Sequence, residues 1–168
     1  MRLFDAKFRR YPGHYFIQSF LAALVIMMAV LLMDAVAHTA LIASLGATAF
    51  IAFTMPHLQV ARPRFLIGGY VMGTLSGVCF GLLHGSKWLA GWGVSPVAAE
   101  VVLGGFAVGL AILLMLITDT EHPPAAGIAL GLVISHDWGF PTLAVILGCV
   151  VMLCAVKHVL RRYLIDLL

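Results

Sequence analysis

The chain has 168 residues, of which 62% are hydrophobic and 10% charged, with a mean hydropathy of +1.08. A soluble domain carries about 25% charged residues, so the composition excludes a water-soluble enzyme or binding module and predicts a single integral membrane domain over 1–168. The formal net charge of +3 gathers at the two ends, which speaks of membrane topology and lipid headgroups and against nucleic acid as a partner.

The N-terminus, with Arg2, Lys7, Arg9 and Arg10, is basic, and no small-residue cleavage site follows the first apolar run. It reads as a cytoplasmic anchor rather than a cleaved signal. The first apolar segment covers 15–33 and ends at Asp34. The second, 39–55, is shorter, and Ala40, Ser44, Thr48 and Ala52 recur at every fourth position, a face that lets another backbone come close. After a loop containing Arg62-Pro63-Arg64, the third segment, 65–83, carries glycines at 69, 73, 77, 81 and 85. In water such glycines would weaken a helix by roughly 1 kcal/mol each; in lipid they form a tight packing face.

Lys87, Trp88 and Trp92 mark an interfacial loop. The fourth segment, 95–118, has Pro96 near its start, Glu100 in its first turn and Gly104, Gly105 and Gly109 as a small face. The fifth, 123–134, would be only about 18 Å long as a helix, against a hydrocarbon core of about 30 Å. A turn at 137–141 leads into the sixth, 142–158, and Lys157, Arg161 and Arg162 close the chain. Cys79, Cys149 and Cys154 lie in apolar runs without CxxC spacing and read as packed free thiols. His57, His84, Glu100, His136 and Asp137 stand near segment ends, where a solvated interface is the default.

The expected fold is therefore all-α: a polytopic membrane helical bundle of about four full transmembrane helices plus two short half or re-entrant helices. It falls into two three-segment repeats, about 15–85 and 95–160. Each half runs long, short, long, with an acid and a histidine at the first junction: Asp34 with His38, and Asp119 with His122. Paired short segments in two halves point to a transporter's central site. The positive-inside rule puts both termini in the cytoplasm. Six crossings would bring Arg62 and Arg64 to that side too, whereas four with two re-entrant segments would leave them outside.

The stretch Asp119-Thr120-Glu121-His122-Pro123-Pro124-Ala125-Ala126-Gly127 is the candidate site. Ionisable groups at membrane depth mark functional sites. Pro123 drives His122 out of the helical region and starts a new helix. The amides of Ala125 and Ala126 would stand at its positive end with His122 at the mouth, an anion site. Asp119 could orient the imidazole and Glu121 favour the helix end. Asp34 and His38 could pair on one helical face. Arg62 and Arg64 could attract anions electrostatically. A metal site from Asp34, His38, Asp119 and His122 is an alternative on ligand types alone, as is a purely structural subunit built for assembly.

The same stretch resembles the signature of the HPP family of small integral membrane proteins. A second block agrees: Ala43-Ser44-Leu45-Gly46-Ala47-Thr48-Ala49, then Ala61-Arg62-Pro63-Arg64, then Ile67-Gly68-Gly69. The family often has histidine after those two glycines, where this chain has Tyr70. Members with an assigned role, in cyanobacteria and chloroplasts, look like nitrite transporters. The resemblance thus implies transport of a small inorganic anion, nitrite first. The site expected from residues and resemblance together is His122, Pro123, Pro124, Ala125, Ala126, Asp119, Asp34, His38 and Arg64, with Gly46 and Ala47 opposite. The expected partners are the anion, a proton riding on His122, the lipid bilayer of the inner cell membrane and further copies of the chain. No enzymatic activity, cofactor or resident metal is expected.

Overall fold

The computed structural model describes residues 8, 10–32, 39–86 and 93–167. The elements are α1 Pro12–Leu32, α2 Thr39–Thr54, a 3-10 turn Gln59–Ala61, α3 Pro63–His84, α4 Pro96–Thr118, α5 Pro123–Ser135 and α6 Phe140–Leu160. Among the described residues no strand occurs, and the all-α expectation holds. Every proline except Pro56 stands in the first turn of a helix, where the missing N–H breaks no internal hydrogen bond. Ser95 caps α4, its hydroxyl accepting from the Ala98 amide at 3.3 Å. Asp119 (φ 52°) and His136 (φ 53°) end α4 and α5 in the left-handed region, the usual way of stopping a helix.

Helix directions follow from which residues meet. Gln18 near the start of α1 donates to the Phe53 carbonyl at the end of α2. Arg64 and Thr118 join the start of α3 to the end of α4, and Ser76 donates to the Ala107 carbonyl midway. Ser44 of α2 lies against Gly127 of α5, while Leu41 lies against Gly131. Lys157 at the end of α6 donates to the Ala61 carbonyl. The six described helices alternate in direction, so the starts of α1, α3 and α5 share one end of the bundle with the ends of α2, α4 and α6. With three alternating described helices each, the two halves run in opposite senses through the bundle. Arg62 and Arg64 share an end with both Arg10 and Arg162, the placement expected for six traverses.

Helix α5 is the centre. It packs on α2, α3 and α4, and Ala125, Ile128, Ala129, Leu132 and Val133 are buried in it. Its closest partner is α3, whose glycines at 69, 73, 77 and 81 take the backbone and side chains of 122–138. The outer surfaces expose large apolar side chains, among them Phe16 and Phe20 on α1, Val101, Phe106 and Ile117 on α4, and Val151 and Val159 on α6. That pattern suits a bundle solvated by lipid, where close packing rather than escape from water holds helices together. By length and composition α3, α4 and α6 are long and apolar enough to cross a membrane, and α2, α5 and the Pro12–Met28 stretch of α1 are shorter apolar helices. Cys149 and Cys154 are buried free thiols as expected, whereas Cys79 is free and exposed.

Candidate functional site

The break between α4 and α5 is built as the prolines predict. Asp119 turns the chain left-handed, and His122, ahead of two prolines, is extended at φ −138° and ψ 92°. His122 is completely buried. Its Nδ1 donates to the Val60 carbonyl at 3.1 Å, since a carbonyl can only accept. Its Nε2 lies 2.9 Å from the Thr48 hydroxyl, and that hydroxyl is also 2.8 Å from the Tyr70 hydroxyl and 3.1 Å from the Ser44 carbonyl. The imidazole of the second half is thus held by α2, α3 and the 3-10 turn of the first. Lys157 reaches the neighbouring carbonyl, Ala61, so two side chains of the second half grip one turn of the first.

Several expected neighbours of His122 lie elsewhere. The Asp119 carboxylate is exposed and pairs with Arg64 at 3.0 Å, so the Val60 carbonyl, not Asp119, orients the imidazole. Arg64 also donates to the Thr118 carbonyl at 3.3 Å; the pair ties α3 to α4 at the surface. The Ala125 amide is not free for an anion, because it donates to the His122 carbonyl at 2.9 Å. Ala125 is buried against Gly73, and the Pro124 carbonyl accepts from the Ser44 hydroxyl. Gly46 faces Ile26 of α1 and Ala47 is exposed; Ser44 and Thr48, not these two, look across at α5. The reason is helical spacing: Ser44 and Thr48 share one face of α2, and Gly46 and Ala47 point off it.

Asp34 and His38 lie outside the described residues. Thr39, which follows them, opens α2 at the end of the bundle opposite His122. The residues that do come together are His122, Pro123 and Ala126, which with Glu121, Ile112, Met115 and Leu116 line a cavity of about 280 Å³ between α4 and α5. A second cavity, about 450 Å³, opens at the same end of the bundle. Arg62, Lys157, His158, Arg161 and Arg162 are among its lining residues.

Thr48, Tyr70 and Val60 carry the geometry of His122 and were not among the expected site residues. Ser44 and Thr48 belong to the every-fourth-residue face of α2, which signalled a close approach. Nothing in the local sequence said that its hydroxyls would bond the break itself. Tyr70 carried a signal of its own, as the residue standing where the resemblance leads one to expect histidine.

No curated protein and no solved structure matches the chain. The family model for the HPP transmembrane region, in contrast, matches residues 9–163. That span takes in both halves, the buried His122 and the helices that hold it, and the chain belongs to the HPP family of membrane proteins.

Proposed function

We propose that this protein transports a small inorganic anion, with nitrite the leading substrate, through the His-Pro-Pro break between its two halves. The observation that carries this reading is the burial of His122 at the meeting of the halves, beside a cavity that it lines together with Pro123 and Ala126. A polar group buried within a membrane bundle marks a functional site, and transporters build theirs where two halves meet. The basic cavity at the same end supports it, since Arg62, Arg161 and Arg162 would raise the local anion concentration at the mouth.

The hydrogen bonds around His122 also suit a proton that travels with the anion. With a neutral ring, Nε2 accepts from Thr48. With a charged ring, Nε2 donates to Thr48, and the Thr48 proton turns to the Ser44 carbonyl. Rotation of one hydroxyl serves both states. All described lysines and arginines lie at the His122 end of the bundle, which supports a cytoplasmic placement of that end and of both termini in the inner membrane.

A second reading, that the break only caps a helix in a structural subunit, is favoured by one observation: both ring nitrogens of His122 already have protein partners. Proteoliposomes separate the two. Transport predicts uptake of nitrite ahead of nitrate, formate and chloride with the wild type, lost in His122→Ala, and faster at lower pH if the proton accompanies the anion. Equal leak of all four anions through both proteins would leave the structural reading standing.

A further inference from the structure

At the end of the bundle remote from His122, three helix ends converge on one point. His84 closes α3, Glu100 stands in the first turns of α4, and His136 is the left-handed residue that stops α5. One nitrogen of each imidazole and one oxygen of the carboxylate lie within 4.8 Å of one another. His136 Nε2 is 3.6 Å from Glu100 Oε1, and the two imidazole rings are 4.6 Å apart, tilted by 59°.

The geometry is held from behind. Trp138 lies against Gly81, where a Cβ would come within 2.8 Å of the indole, and this contact seats the α5–α6 turn on α3. Asp137 braces the turn, accepting from the Gly139 amide at 3.2 Å and the Thr142 hydroxyl at 2.5 Å. His136 is thereby fixed beside His84. A second observation is independent of the clustering: Nε2 of His84 is buried and has no hydrogen-bond partner among the described residues. Buried polar atoms are almost always bonded, and an exception calls for an explanation such as a bound water or ion.

We propose that His84, Glu100 and His136 bind a divalent cation of the zinc class, its fourth position taken by water, as a clasp across the ends of α3, α4 and α5. Two imidazoles and one carboxylate are a recurrent zinc donor set that leaves one position open, and imidazole favours late first-row metals over magnesium or calcium. Tetrahedral bonds of about 2.0–2.2 Å put neighbouring ligand atoms about 3.3–3.6 Å apart. The His136–Glu100 pair already meets that spacing, and His84 needs only a side-chain adjustment of roughly an ångström to join it. The His136 and Glu100 side chains are 43% and 30% exposed, so the cation can arrive from water.

Cobalt(II) titration of the detergent-purified protein, without a histidine tag, tests the site. The expected result is one Co²⁺ per chain with the visible absorption of low-coordinate imidazole ligation. Zn²⁺ should displace it, Mg²⁺ should not, and Zn²⁺ should raise the melting temperature of the wild type. His84→Ala and His136→Ala should each weaken Co²⁺ binding by at least about tenfold, the smallest loss seen even for outer partners of a metal site, and abolish the thermal shift. Glu100→Gln, nearly isosteric, gives the same reading should an alanine variant fail to fold. His57→Ala, at the opposite end, should change nothing. Wild type that takes up no Co²⁺, or binding unchanged in Glu100→Gln and the histidine variants, would overturn the proposal.

Discussion

Thr48 is the residue on which the buried histidine depends. Its one hydroxyl faces the Ser44 carbonyl, the Tyr70 hydroxyl and His122 Nε2, and it is fully buried itself. Thr48→Val keeps the shape and removes the oxygen, which leaves the ring nitrogen Nε2 without its partner and takes one from the phenol. A buried unsatisfied polar group costs about 1–3 kcal/mol, so Thr48→Val should lose about 2 kcal/mol or more. Thr48→Ser should stay near wild type. Tyr70→Phe removes one contact and leaves Thr48 bonded, a loss of about 1 kcal/mol. Denaturant unfolding in detergent measures all three, and a Thr48→Val protein as stable as wild type would mean that the hydroxyl carries no such role. Exposed Arg64 and Asp119 contrast with this group: screened by solvent, their pair contributes no more than about 1 kcal/mol.

At the scale of elements, the glycine face of α3 is where sequence and packing agree best. A Cβ on Gly73 would sit on the Ala125 carbonyl, and one on Gly77 would come within 2.9 Å of the Ala129 Cα. Both obstacles are backbone, which cannot swing aside. Gly85, the last of the stripe, has only ordinary contacts, and Gly105 and Gly109 of α4 have nothing within 4 Å. A glycine stripe therefore does not announce which of its members touch another helix. Gly73→Ala should cost about 1–3 kcal/mol, the range for overpacking. Gly109→Ala should be neutral or gain up to about 1 kcal/mol from helix propensity. Thermal melting of the two variants side by side checks the contrast, and equal effects would mean that α3 and α5 are not in backbone contact.

At the scale of the whole molecule, six described helices of alternating direction make two halves of opposite sense, with the short helices α2 and α5 packed on each other. The arrangement collects Arg10, Arg62, Arg64, Lys157, Arg161 and Arg162 at one end. In a cysteine-free background, Arg62→Cys and Arg162→Cys should react with an impermeant thiol reagent from the same side of the membrane, and Val94→Cys from the other. Four crossings with two re-entrant segments would instead put positions 62 and 162 on opposite sides. The chain's hydrophobicity left both topologies open, because length alone does not say whether a short apolar helix passes through or turns back.

What the sequence by itself determined is local. Proline lacks an N–H and fixes its own backbone angle, so the helix starts at Pro96 and Pro123 and the break at His122 were legible, whereas Pro63, read as part of a loop, begins a helix as well. Composition was enough to establish a membrane bundle, and the His-Pro-Pro block its family. The tertiary structure decided which distant groups meet. Thr48 reaches His122 across 74 positions, Asp119 pairs with Arg64 instead of its neighbour, and His84, Glu100 and His136 converge from three helices. These choices follow from how far each helix slides and turns against the next. Glycine contacts and buried hydroxyls along the whole bundle set that register together, and no single stretch of sequence contains it.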